Sequence, residues 1–253
     1  MQESRYGHFV HQKGGYNAFI PKSLPPDPPI VYDETLQYLL SEADRALARL
    51  DGMAMTLPNP DLFIAMYMKK EALLSSQIEG TEASLKGILE FEANLKPTEN
   101  INDLREVVNY LRAMDSGLEQ LKRAPISLDL IRDIHRVLIK GTRGSDREPG
   151  NFRTVQNYIA RSGATSIRDA VFVPPPPERV EALMKDLEAF ILAKGSVPPL
   201  IKIALIHAQF ETIHPFLDGN GRMGRLLITF YLCWKGILAK PLLYLSIYLK
   251  RHR

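Results

Sequence analysis

His214-Pro215-Phe216-Leu217-Asp218-Gly219-Asn220-Gly221-Arg222-Met223-Gly224-Arg225 is the stretch on which the reading of this chain turns. It holds an imidazole, a carboxylate, an amide, two guanidiniums and several glycines in one short run. Before it, Leu200 to Ile213 carries apolar residues at helical spacing, and after it Leu226 to Trp234 does the same. The pattern predicts a tight loop between two buried helices, the second opening at about Asn220–Gly221.

Such a loop suits phosphate. Closely spaced glycines let the backbone fold into a nest of N–H groups, and the positive end of the following helix adds to it. Arg222 and Arg225, three positions apart on one helix, can fork onto phosphate oxygens. Asp218 would repel a phosphate unless a cation stood between them, and Mg²⁺ fills that role in nucleotide sites. His214 titrates near working pH and can act as a general base. Together these parts describe transfer of a phosphorus-containing group to a hydroxyl.

Three other phosphate or cation motifs share these letters and fail. Gly219-Asn220-Gly221-Arg222-Met223-Gly224 spells the dinucleotide fingerprint, which needs a preceding strand and a later acidic residue. A helical pattern precedes it, and no Asp or Glu follows Asp218. An EF-hand loop from Asp218 would need Gly where Met223 stands and Glu where Thr229 stands. No Gly-Lys pair exists to make a P-loop.

The run resembles the Fic family signature, His-x-Phe-x-Asp/Glu-Gly-Asn-Gly-Arg-x-x-Arg, at every defined position. The resemblance implies an all-α fold, a helical bundle with a small β-hairpin flap, and transfer of AMP from ATP to a Ser, Thr or Tyr hydroxyl of a target protein. It implies His214 as the base and Asp218 as the Mg²⁺ ligand. Gly219, Asn220, Gly221, Arg222, Gly224 and Arg225 would surround the phosphates, with Arg225 reaching the γ-phosphate. Ser75-Ser76-Gln77-Ile78-Glu79-Gly80 resembles the family's inhibitory motif, matching at Ser75, Glu79 and Gly80. A carboxylate in the last turn of a helix opposes the negative dipole end, costing up to about 1 kcal/mol, so Glu79 is either screened by solvent or paired with a cation. In the family that cation is the second signature arginine, here Arg225.

Composition bounds the alternatives. With 32 basic and 29 acidic residues the net charge is +3, which exerts no general pull on nucleic acid. From Gly219 onward there are seven Lys or Arg and no acid, which suits a polyanion such as ATP and equally a solvated basic face. The single cysteine, Cys233, excludes internal disulfides and thiolate metal clusters and fits a reducing compartment. With no apolar leader and no membrane-length apolar run, the expectation is a soluble, cytoplasmic protein with no membrane partner.

The remaining chain divides into an irregular surface arm over residues 1–32, an N-terminal helical region over 33–126 and a catalytic core over 127–253. In the second region Asp33 caps a helix that Gly52 ends, and Asn59-Pro60 starts the inhibitory helix, 60–80. Thr81 begins another helix, with Leu85, Ile88 and Leu89 inward, and Asn102 or Asp103 starts a long one. Ser127 caps a helix in which His135 reads as a packed core histidine. Residues 141–176 form the sizeable non-helical segment, and Ala170–Val173 is a short edge strand stopped by proline. Placed as a flap before the catalytic loop, it would dock a target protein near residues 170–176 by strand addition, or be an ordinary surface loop. A last helix begins near Leu242, where Tyr244 or Tyr248 offers a ring to adenine. Self-modification and a homodimer stay open as further partners. Two other functions fit the same residues: a hydrolase removing AMP, with Glu79 orienting water, or a non-catalytic nucleotide-binding regulator.

Overall fold

A computed structural model describes residues 5–54, 56–161, 165–195 and 197–252. Among them are nine helices and two small antiparallel hairpins. In chain order these are β1 (Gly7–Gln12), β2 (Tyr16–Pro21), α1 (Glu34–Ala54), α2 (Pro60–Ile78), α3 (Leu85–Glu92), α4 (Ile101–Leu121) and α5 (Leu128–Leu138), followed by β3 (Ile159–Ala160), β4 (Ala170–Phe172), α6 (Pro177–Leu192), α7 (Pro199–Ile213), α8 (Asn220–Trp234) and α9 (Leu245–Arg251). The fold class is the expected one, all-α with a β-hairpin flap. Among the described residues no helix is long and apolar enough to cross a membrane.

α8 is the central element. From Arg222 to Leu232 every residue is buried, as befits a helix that is apolar nearly all round. It packs on α7, α4, α5 and α2, while α6 backs α7 and α9 lies on α2. One core cluster therefore runs from Ala72 of α2 through Leu104, Val107 and Met114 of α4 to Leu226, Leu227 and Phe230 of α8. Side chains of this kind contribute about 1.5–3 kcal/mol each when fully buried. Helix starts follow side-chain caps: Asn59 accepts from Leu62 N–H, Ser84 from Gly87 N–H and Ser127 from Leu130 N–H.

Several boundaries differ from expectation. α1 passes through Gly52 and ends at Ala54, because a single glycine costs a helix only about 1 kcal/mol. α3 begins at Leu85 and not at Thr81: the Thr81 and Glu82 backbone is tied back to Ser76 and Asp103, which holds it out of a helix. Within α3 only Ile88 of the expected stripe is fully buried, and Leu89 is exposed. α4 starts at Ile101, one residue early, capped by Asn100, and α9 starts at Leu245.

The larger correction is the arm. Its first four residues lie outside the described ones, and from Gly7 to Pro21 it is a hairpin with Gly7 opposite Pro21 and Gln12 opposite Tyr16. Gly15, at φ 78°, makes the turn in a conformation glycine adopts freely. The strand left no alternation to read, because from His8 to His11 both faces of β1 are exposed. Phe19 N–H donates to Val173 O at 2.9 Å, and the Phe19 ring lies 6.0 Å from Phe172. The hairpin thus braces the end of the β3–β4 flap.

Close approach of α4 to α8 depends on Gly117, where an added Cβ would run into the Phe230 ring. Gly117→Ala gains helix propensity yet overpacks the core, so urea unfolding should show a net loss of about 1–3 kcal/mol. An equal or higher midpoint would mean the two helices can separate without penalty.

Candidate active site

The loop between α7 and α8 is built by its backbone. His214 ends α7 in the left-handed region, φ 50° and ψ 61°, with its N–H on Phe210 O. A non-glycine residue pays for that conformation, and the surroundings must hold it. Arg153 does much of this. Only 2% exposed, it donates to His214 O at 2.9 Å, to Ile213 O at 3.3 Å, to Pro175 O at 2.5 Å and to Val155 O at 3.3 Å. Burial pulls its pKa down to about 10, although the charge of Glu178 opposes the fall. Asn157 adds donations to His214 O and Phe216 O.

The second half of the loop is closed by Asn220. Its Oδ1 accepts from Phe216 N–H at 2.9 Å and its Nδ2 donates to Phe216 O at 2.8 Å. Both ends of the amide are therefore engaged by the loop itself, which gives Asn220 a shaping role. His135 supports the turn from below. It is fully buried, stacked on Phe216 at 3.6 Å between ring centroids, and accepts from Gly150 N–H on Nδ1. That leaves the proton on Nε2, which donates to Asp218 O at 2.9 Å. Burial holds the His135 pKa down to about 4.

Gly219, at φ 75°, opens α8, and no side chain caps the helix. Its free N-terminal N–H groups form the positive end that the sequence promised. That end is already covered by an anion: a Cβ on Gly221 would collide with Glu79 Oε1, so the carboxylate lies against the first turn of α8. Glu79 Oε1 also accepts from Arg225 Nη2 at 2.7 Å. Arg225, 7% exposed, donates further to Ser75 Oγ at 2.7 Å and Ser75 O at 2.9 Å. Gly80, at φ 89°, turns the chain just beyond. Ser75, Glu79, Gly80 and Arg225 thus come together as the resemblance implied.

Arg222 is 4% exposed and lies between Glu106 Oε2 at 3.4 Å and Asp218 Oδ1 at 3.5 Å. Its Nε and Nη1 are buried without a hydrogen-bond partner. Asp218 is partly exposed, and its Oδ1 accepts from Gly219 N–H at 2.6 Å. Gly224 turns out to serve helix packing, since a Cβ there would strike Glu211 Oε1 of α7, and its carbonyl faces His207 Nδ1 at 3.1 Å. Tyr244 stands half-buried just before α9, edge-on to Tyr67 of α2 at 6.1 Å.

His214 itself is neutral at pH 7. Burial lowers its pKa to about 4, an effect that the Glu211 carbonyl, facing the ring, only partly offsets. Its buried Nδ1 closes no hydrogen bond of good geometry. The ring can therefore accept a proton, and an anionic ligand beside it would strengthen it as a base. Glu211, one turn earlier, has its pKa raised to about 7 by burial, although the charge of Arg225 opposes the rise.

The site also contains residues that motif reading passed over. Arg153, Asn157 and Glu106 lie far from the signature in sequence, and nothing in their local pattern marks them. His135 was readable as a core histidine, but its bond to the Asp218 carbonyl was not.

A mainly helical chain with a glycine-rich loop between two buried helices and a carboxylate lying across it defines a narrow class. Two family descriptions match this chain, "Fic/DOC family N-terminal" over residues 37–119 and "Fic/DOC family" over residues 125–232. The chain belongs to the Fic/DOC family. It is 30% identical over 167 residues to the protein adenylyltransferase fic-1 of Caenorhabditis elegans, covering 63% of this chain and 30% of that protein. It is 28% identical over 176 residues to a probable protein adenylyltransferase of Aquifex aeolicus, covering 70% of this chain and 51% of that one. The chain thus spans about half, or less, of the length of these relatives. A Fic family protein of Desulfovibrio desulfuricans has a similar structure, with a TM-score of 0.65 at 25% identity, covering 83% of this chain and 63% of that chain.

The depressed pKa of His135 has a consequence for stability. The unfolded chain takes up this proton near pH 6.5, while the folded one resists it until about pH 4. The stability it contributes is therefore complete above pH 6.5 and declines as pH falls through that window, by about 1.4 kcal/mol per pH unit. Unfolding free energies of wild type and His135→Gln, measured from pH 7 to pH 4.5, should differ in slope by about one proton. Parallel curves would show that His135 titrates normally.

Proposed function

We propose that this chain is an autoinhibited protein adenylyltransferase, which moves AMP from ATP to a Ser, Thr or Tyr hydroxyl of a target protein. One observation carries the reading: the Glu79 carboxylate lies against the uncapped N-terminal turn of α8 and binds Arg225, where a nucleotide phosphate would otherwise sit. Relatives named protein adenylyltransferases support the chemistry.

In this mechanism ATP phosphates meet the α8 N–H groups and the unpartnered donors of Arg222. Arg225, released from Glu79 and still aimed by Ser75, reaches the γ-phosphate. Tyr244 offers the aromatic face for adenine. Neutral His214 takes the proton of the target hydroxyl as its oxygen bonds to the α-phosphorus. The bond from that phosphorus to the bridging oxygen breaks, and pyrophosphate leaves. Positioning and charge stabilisation supply the rate. Asp218 would hold Mg²⁺, which when bound neutralises phosphate charge. Its partly exposed carboxylate suits an ion that takes one or two protein carboxylates and fills its other positions with phosphates and water.

The target segment is assigned to the β3–β4 flap, whose stem Arg153 ties directly to the His214 carbonyl. A hydroxyl registered on the flap would therefore be registered on the base as well. The partly exposed Glu79 carboxylate also supports a second activity, orienting water to hydrolyse AMP from a modified protein. A cytoplasmic setting rests on the single free cysteine, Cys233.

Incubation with Mg²⁺ and either α- or γ-labelled ATP tests this. Charge-assisted hydrogen bonds contribute about 1.5–3 kcal/mol, so Glu79→Gly should take up α-label roughly ten- to hundredfold faster than wild type. His214→Ala should take up none, and γ-label should not transfer in any variant. Appearance of γ-label would identify a kinase. Loss of α-label from a pre-labelled target, on adding wild type but not Glu79→Gly, would establish the hydrolytic activity instead.

A further inference from the structure

A cluster of charge behind the α8 N-terminus lies outside both motifs. At its centre Glu106, on the inner face of α4, is 3% exposed. Its Oε2 accepts from Thr81 Oγ1 at 2.6 Å and lies 3.4 Å from Arg222 Nη1. Its Oε1 accepts from Arg143 Nε at 2.9 Å. Asp103, one turn earlier on α4, accepts from Glu82 N–H at 2.9 Å and stands 3.7 Å from Arg143. One face of α4 therefore grips three things: the chain just after Glu79-Gly80, the loop arginine Arg143, and the signature arginine Arg222.

The plain reading is a buried ion cluster that only stabilises the fold. Two observations go against it. Buried ion clusters are tolerated when their donors are satisfied, yet Nε and Nη1 of Arg222 have no hydrogen-bond partner. Glu106 approaches Arg222 Nη1 at ion-pair distance without closing a good hydrogen bond, so it neutralises the guanidinium while leaving its hydrogen-bonding capacity unsatisfied. The other observation is Thr81. By accepting its hydroxyl on Oε2, the oxygen that also faces Arg222, Glu106 fixes the residue that follows the Glu79 turn.

We propose that Glu106 is a positioning residue for the nucleotide phosphates, aiming Arg222 from behind and, through Thr81, setting the turn that presents Glu79. The proposal rests on the adenylyltransferase reading for its substrate. It assigns two separable tasks to one carboxylate. Loss of its charge misaligns Arg222 and weakens the hold on ATP, whereas loss of the Thr81 bond loosens only the brake.

The test uses Glu79→Gly as parent, so that the brake is absent, and measures ATP binding by calorimetry together with KM and kcat for α-label transfer. Glu106→Gln should raise both Kd and KM for ATP about tenfold, a change of about 1.4 kcal/mol, with kcat per folded molecule altered less than about threefold. Glu106→Asp, which keeps the charge, should recover part of that loss and serves if the glutamine variant does not fold. In the otherwise wild-type chain Thr81→Val should raise α-label uptake several-fold, and in the Glu79→Gly parent it should leave KM unchanged. A purely structural carboxylate would lower the folded fraction and leave Kd and KM where they were, and that result overturns the proposal. A parent that binds ATP but transfers no α-label would overturn the transferase reading, while the ratio of Kd values still decides the role of Glu106.

Discussion

The constraint on which everything else depends is the closed backbone ring from Phe216 to Asn220. The Asn220 amide binds the Phe216 N–H and C=O together. In doing so it fixes the distance between the end of α7 and the start of α8. His135 takes the Asp218 carbonyl, and Arg153 takes those of Ile213 and His214. Each bond contributes only about 0.5–1.5 kcal/mol net. Because they are buried, an unmade one would leave an expensive orphan, so the set is held together. Of the left-handed residues, His214 stands just before this ring and Gly219 within it. They point the imidazole and the helix end toward one space.

Arg222, Arg225 and the α8 N-terminus border that space, and the protein balances them with carboxylates of unequal permanence. Glu106 is 4% exposed in its side chain and Glu79 is 37% exposed. Removing the first leaves Arg222 as an undercompensated buried charge, which costs several kcal/mol. Swinging out the second returns a half-hydrated carboxylate to water, and Ser75 keeps two bonds to Arg225. An incoming phosphate then replaces the lost charge. Exposure alone therefore separates a fixed counter-ion from an exchangeable one.

Much of this was legible in the residues. The signature loop, the helices on either side of it and the Arg225–Glu79 pairing follow from local pattern and a motif match, because a helix end, a glycine turn and a caps-and-prolines grammar are all local. What stayed hidden was non-local or disguised. Asn220 reads as a phosphate amide, and only the fold shows both its ends turned to Phe216. Gly224 reads as part of a nest, and only the approach of Glu211 shows it to be a packing glycine. The β1–β2 hairpin was missed because both faces of β1 are exposed from His8 to His11, which leaves no period of two to read. Arg153 has no signal at all, since one arginine in a loop looks like any surface residue until four carbonyls converge on it.

The position of Glu79 resolves the conflict that its sequence context posed. A carboxylate at the C-terminal end of α2 opposes the negative pole of its own helix. In the folded chain that pole faces Arg225, which binds the Ser75 carbonyl, and Glu79 itself rests on the positive pole of α8. The local penalty is outweighed by a tertiary contact between opposite helix ends. The same geometry limits what removing Glu79 can achieve. Without its carboxylate the end of α2 still holds Arg225 through the Ser75 carbonyl and hydroxyl. An incoming phosphate would find Arg225 still partly committed to Ser75. In the proposed mechanism the brake is therefore the whole end of α2, with Glu79 as its strongest part.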